Sequence, residues 1–171
     1  MSFTELILGV ILLFMAVIRF QVKGVRPFLI CHAATSALVG ITYAIGGATT
    51  GALVSAGTVT TVGVQAAIGH KIALHWRLLI AAPAVVLALM LSEGGWASAL
   101  PFIAFTLARV AEALHKDLVM RLLFLMCTLM WLGYGIASGL IFIVAMEGLG
   151  LISNLVGIWR HHLRKAASVT N

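Results

Sequence analysis

Apolar residues occupy long stretches of the chain, separated by short polar or glycine-rich breaks. The stretches fall at about Thr4–Ile18, Pro27–Ile45, Gly51–Gly69, Leu78–Leu91, Trp96–Val110, Leu118–Ala137 and Leu140–Ile158. A bilayer core about 30 Å thick takes ~20 residues of helix per crossing, and a helix satisfies its own backbone inside hydrocarbon. The pattern therefore predicts seven transmembrane helices. The shorter stretches, the fourth above all, span by local thinning of the bilayer or by snorkelling of flanking side chains.

Composition agrees. Of 171 residues, 62% are hydrophobic and 9% charged, against roughly 45–50% and 25% in a soluble domain. This excludes a water-soluble globule, leaves no room for a separate soluble domain, and makes the lipid bilayer the first partner. The net charge of +6 does not indicate a nucleic-acid partner, because that requires Lys and Arg gathered on one solvated face. Here they form short clusters: Arg19, Lys23 and Arg26 after the first stretch, Lys71 and Arg77 after the third, Lys116 and Arg121 after the fifth, and Arg160, Arg164 and Lys165 after the seventh. The alternate breaks, Gly46–Gly51, Ser92–Gly95 and Ala137–Gly139, carry neither Lys nor Arg. Basic residues near helix ends are retained in the cytoplasm, so seven spans put the N-terminus outside and the C-terminus inside. The start, Met1 to Glu5, has no basic region, and no small-residue cleavage site precedes Arg19. A cleaved signal peptide is not expected.

Shifting the chain by 91 residues lays Leu38 on Leu129, Tyr43 on Tyr134, Ile45 on Ile136 and His70 on His161, with Arg19 one position from register with Arg109. With the charge pattern, this predicts an all-α membrane protein of two parallel three-helix repeats joined by a linker helix. The first repeat takes in residues 4–70, the linker 77–91, the second repeat 95–162, and a cytoplasmic tail 163–171. In transporters built from parallel repeats, the site lies between the halves near the midplane.

Glu147, Gly150, Asn154 and Gly157 are spaced by three, four and three residues and share one helical face. Two readings stand: a small-residue stripe with Asn154 hydrogen-bonding across a helix interface, or a path for a solute or proton. No cation is an evident neighbour of Glu147, since Arg109 should lie roughly 10 Å closer to the cytoplasm at 1.5 Å per residue. Arg109, Glu112 and Lys116 form an ion-pair ladder expected to snorkel to the interface. Ser55, Thr58 and Gln65 give the third stretch a polar face of similar spacing, suited to helix packing or to a pathway. Trp131 lies deeper, as lipid-facing filler or as a platform for a ring-shaped solute; Tyr43 and Tyr134, near helix ends, read as interfacial anchors. Of the histidines, His32 alone falls inside a span. Cys31 and Cys127 lack paired spacing and read as small buried residues. Without HExxH, GxSxG or a phosphate-binding loop, the chain is not expected to be an enzyme or to hold a metal or other cofactor.

Two segments carry a family likeness: Cys127-Thr-Leu-Met-Trp-Leu-Gly-Tyr134, and Glu147-Gly-Leu-Gly-Leu-Ile-Ser-Asn154-Leu-Val-Gly-Ile-Trp159. They resemble the closing part of the YgjV family of bacterial inner-membrane proteins. That family is similar to the SWEET and PQ-loop group, whose helices run three plus one plus three and which includes sugar and amino-acid carriers. The resemblance implies a SWEET-like protein of the bacterial inner membrane that moves an unidentified small solute between its repeats. Glu147, Asn154, Trp131, Ser55, Thr58 and Gln65 are the pathway candidates. The alternative is a non-transporting membrane protein whose polar helix face serves homo-oligomerisation or a partner. The chain has no Pro-Gln pair; Pro101 lies within a span, whereas Pro27 and Pro83 sit at or near helix starts. Asn154 matches the group's third-helix Asn, with Gly63 at the corresponding place in the first half.

A reporter active only in the cytoplasm should work when fused after Lys23, His75, Lys116 or Lys165 and fail after Thr49 or Gly94. Activity at Gly94 would remove the seven-span threading.

Overall fold

The computed structural model describes residues 3–22, 25–68, 73–92, 94–113 and 117–160. They form seven helices: α1 (Phe3–Gln21), α2 (Val25–Ile45), α3 (Thr49–Ile68), α4 (Leu74–Met90), α5 (Ala99–Ala113), α6 (Asp117–Ala137) and α7 (Ile141–Ile158). The expected basic positions Lys23, Lys71, Lys116, Arg164 and Lys165, the histidines at 70, 115, 161 and 162, and the 163–171 tail lie outside the described residues. Four helices are long and apolar enough to cross a membrane, over Arg26–Ile45, Thr49–Ile68, Leu118–Ala137 and Ile141–Ile158, and Leu6–Gln21 is a shorter apolar helix.

Two of the joints share one chemistry. Gly47 and Gly139 take φ values of +77° and +69°, a region open to glycine. Just beyond them the N–H of Ala48 donates to the Tyr43 carbonyl at 2.9 Å, and that of Leu140 to the Gly135 carbonyl at 3.1 Å. These six-to-one bonds satisfy carbonyls left over at the ends of α2 and α6 and let α3 and α7 turn straight back.

α1 packs on α2 and α7, α2 on α3, α3 on α5, α5 on α6, and α6 on α7, closing a ring of six helices; α4 lies outside it against α3 and α5. Gly9 faces Phe142 and Gln21 bonds Ser153, so α1 and α7 run parallel. Gly40 faces Ser55 and Gly51 faces Tyr43, which makes α2 and α3 antiparallel. The exterior is apolar, with Phe14, Ile136, Ile141 and Met90 exposed, while Arg109, Gln65, Glu147 and Asn154 are buried. Polar inside and apolar outside inverts the order of a soluble domain and suits hydrocarbon as the surrounding solvent.

Pro83 departs from its expected place near a helix start: α4 begins four residues earlier than the apolar pattern suggests, at Leu74, and carries Pro83 in its interior. Its exposed position on a peripheral helix means the ring clashes with no neighbouring helix. Pro101, expected deeper in a span, sits in the first turn of α5, where the missing N–H costs nothing.

A Cβ at Gly51 would stand 2.6 Å from Tyr134 Cε1 and 2.8 Å from Tyr43 Cγ, whereas one at Gly63 meets nothing within 4 Å. Gly51→Ala should therefore destabilise by about 1–3 kcal/mol through overpacking. Gly63→Ala, on the same helix, should be neutral or gain up to about 1 kcal/mol of helix propensity. Unfolding of the detergent-purified variants measures both.

Candidate functional site at the centre of the bundle

Polar and apolar side chains alike recur at helical spacing on the inner faces of the ring. His32, Ser36 and Val39 do so on α2, and Phe124, Cys127, Thr128 and Trp131 on α6; Ser55 and Thr58 lie one turn apart on α3. With Arg19 of α1, Phe105 and Ala108 of α5 and Glu147 of α7, they enclose a cavity of about 40 Å³. That is room for about three waters.

The charged wall of the cavity is an ion pair between the first and last helices. Arg19 Nη2 donates to Glu147 Oε2 at 3.2 Å, with both side chains almost wholly buried. Gly150 makes the approach feasible, because a Cβ there would lie 2.8 Å from Arg19 Nη2. The guanidinium carbon sits 4.7 Å from the Phe20 ring centroid, a cation–π arrangement. One turn further along, Gln21 Nε2 donates to Ser153 Oγ at 3.0 Å, and Ser153 Oγ donates to the Val17 carbonyl at 3.0 Å. On the other flank Asn154 Nδ2 donates to the Arg121 carbonyl at 2.9 Å, and Arg121 Nη1 to the Phe20 carbonyl at 3.3 Å. Gly157 clears space for that second guanidinium, as Gly150 does for the first.

A second buried pair joins Arg109 Nη2 to Glu112 Oε1 at 2.7 Å within α5. Arg109 Nη1 also donates to Thr61 Oγ1 of α3.

These contacts correct three expectations. Glu147 does have a cationic partner. Arg19, assigned by the sequence to a cytoplasmic cluster, belongs to a side chain that leans back toward the start of its helix, and its length bridges the difference in depth. Arg109 does not snorkel: it is 0% exposed, its charge met by Glu112 and a hydroxyl of the next helix. Tyr43 and Tyr134 are not interfacial anchors. They are 0% and 2% exposed with ring centroids 5.2 Å apart, and Trp131 lies 5.7 Å from Tyr43 and 6.2 Å from Tyr134. The Tyr134 hydroxyl accepts the Gly51 N–H at 3.1 Å, so a backbone donor takes the place of water.

Of the six pathway candidates, Glu147, Trp131, Ser55 and Thr58 line the cavity. Asn154 and Gln65 are buried on the same faces but each seven residues further on, roughly 10 Å along the helix. Arg19, His32, Ser36 and Thr128 also line it, and sequence reasoning gave them no role; a lone in-span histidine with a serine four residues later was the available signal. His32 stacks on Phe28 at 5.8 Å and meets Phe124 edge-on at 5.4 Å. Both its ring nitrogens, and Arg19 Nε, are buried without a hydrogen-bond partner. Among the described residues no three His, Cys, Asp or Glu side chains converge as a metal would require.

A second pocket, of about 200 Å³, opens at the Gly46–Gly47 end, with Tyr134, Ser98 and Ser138 on its walls. Tyr134 on its wall has its ring centroid 6.2 Å from that of Trp131, which lines the central cavity.

Residues 4–165 match the Imp-YgjV family, described as a bacterial inner membrane protein. The chain belongs to the YgjV family. It is accordingly an integral, multi-pass protein of the bacterial inner membrane, and the match takes in every helix of the ring. No curated protein and no solved structure matches the chain.

Removing one member of a buried ion pair strands the other charge, at about 3–5 kcal/mol. Arg19→Gln and Glu147→Gln should each destabilise by that order, and the double substitution by clearly less than their sum. Thermal unfolding of the four proteins in detergent tests the coupling.

Proposed function

We propose that this YgjV-family protein is a carrier that moves a small polar solute through the centre of a seven-span bundle, with its N-terminus outside. In this reading α1–α3 and α5–α7 are parallel repeats and α4 is the linker. Three observations support the repeats. Exchanging α1 with α5, α2 with α6 and α3 with α7 maps the neighbour pairs of the ring onto one another. The joints after α2 and α6 have the same glycine cap. Near the end of α1 an arginine reaches α7, and near the end of α5 an arginine reaches α3.

The observation that carries the transport reading is the central cavity, to which all six ring helices contribute and which has a buried ion pair in its wall. Ionisable groups within a membrane are costly and characteristically mark solute or ion paths. At about 40 Å³ the cavity is closed round a small volume that a hexose ring does not fit. The oligomerisation reading draws less support, because the Glu147–Gly157 stripe is turned inward onto Arg19 and Arg121, out of reach of a second copy.

Cys127 supplies a native probe. It lines the cavity, and its thiol donates to the Ala104 carbonyl at 3.3 Å. In a Cys31→Ala background, a carrier that opens should let a small maleimide modify Cys127 well above the rate of global unfolding. Labelling at the unfolding rate would overturn the carrier reading in favour of a permanently packed interior.

A further inference from the structure

We infer that the solute held beside Arg19 is a small carboxylate that arrives together with one proton. This rests on the carrier reading. The Arg19 guanidinium is only partly used: Nη2 is held by Glu147, while Nε is buried without a partner. A guanidinium presents its donors as a planar fork that matches carboxylate oxygens, and Nε is a donor of that fork which Glu147 leaves unused. His32 lines the same cavity, 9% exposed, with both nitrogens unpartnered. A neutral imidazole offers one donor and one acceptor, and a buried group left unmet is destabilising. Arg19 and His32 thus bring unpartnered nitrogens to the wall of one cavity, and a ligand that accepts from Arg19 and bonds His32 would meet both.

Charge then fixes what must accompany that ligand. Around the cavity Arg19 of α1 is balanced by Glu147 of α7, and the Arg109–Glu112 pair of α5 balances itself. α6 offers the Cys127 thiol, and α3 offers the hydroxyls of Ser55 and Thr58. A carboxylate entering alone would leave one uncompensated negative charge in a low-dielectric interior, which is strongly unfavourable. A proton taken up by His32 restores neutrality, and the resulting imidazolium donates to the bound carboxylate. Carboxylate and proton enter together, and the cavity carries no net charge before or after. Space for about three waters limits the acid to about one to three carbons.

Acetate and its neutral isostere acetamide, at matched ionic strength, separate the alternatives on the detergent-purified full chain. Acetate should raise the unfolding temperature and acetamide should not. Uptake of one proton predicts that the apparent Kd for acetate weakens about tenfold per pH unit between pH 6 and 8. Arg19→Lys keeps the charge beside Glu147 but lacks the Nε edge, and should weaken acetate binding about tenfold. His32→Phe, which suits the aromatic surroundings of that side chain, should weaken binding and abolish its pH dependence. Equal stabilisation by acetamide, a Kd flat with pH, or no effect of acetate would overturn the assignment. Cys127 labelling decides separately: labelling faster than unfolding alongside a failed acetate test removes the ligand class and leaves the carrier, whereas labelling at the unfolding rate removes the carrier itself.

Discussion

A charge inside a bilayer cannot be left to solvent, and the arrangement of this protein follows from meeting that condition with its own side chains. Arg19 and Glu147 lie 128 positions apart in the chain and meet at the centre of the bundle. Their contact ties the first helix to the last and closes the ring. It also dictates what else α7 can carry. Gly150 and Gly157 stand where any larger residue would meet a guanidinium, so α7 approaches α1 and α6 as closely as the arginines allow. A buried ion pair is a poor source of net stability, because desolvation offsets most of the attraction. Its value here is register, since Arg19 finds Glu147 at one alignment of α1 along α7, which the Gln21–Ser153 bond shares.

The second pair solves the same problem differently. Arg109 and Glu112 are one turn apart on a single helix, so the charge is paired within α5, and Arg109 reaches across to the Thr61 hydroxyl of α3. The two junctions of the ring differ accordingly: α1 lies along α7 over an extensive contact, whereas α3 and α5 touch more sparingly with α4 against both. One junction of the ring is thus an ionic seam between helices, and at the other the charge is paired within a helix.

The helices were legible because hydrophobic run length is a linear property of the chain. Faces were legible too: Ser55, Thr58 and Gln65, like Glu147 and Asn154, turn inward as their spacing demands. Depth and partnership were not. Gln65 and Asn154 share the faces of cavity-lining residues yet sit two turns further on, and nothing in a periodic pattern says where along a face a cavity will fall. Arg19 reads as the start of a basic loop until its side chain is followed back along α1. Tyr43 and Tyr134 read as anchors because tyrosine near a helix end usually seeks the interface, a tendency that gives way for Tyr134 because the Gly51 N–H lies inside and for Tyr43 because its ring packs against Trp131 and Tyr134.

The cluster of Tyr43, Trp131 and Tyr134 stands between groups that matter to the cell's energy supply. A bacterial inner membrane stores work as a proton gradient, and any protein with charged groups at its middle and water at its mouth risks becoming a short circuit. Here the pocket at the Gly46–Gly47 end stops at aromatic faces. A file of water running from that mouth toward the ion pair would have to pass Tyr134, which lines the pocket, and Trp131, which lines the central cavity.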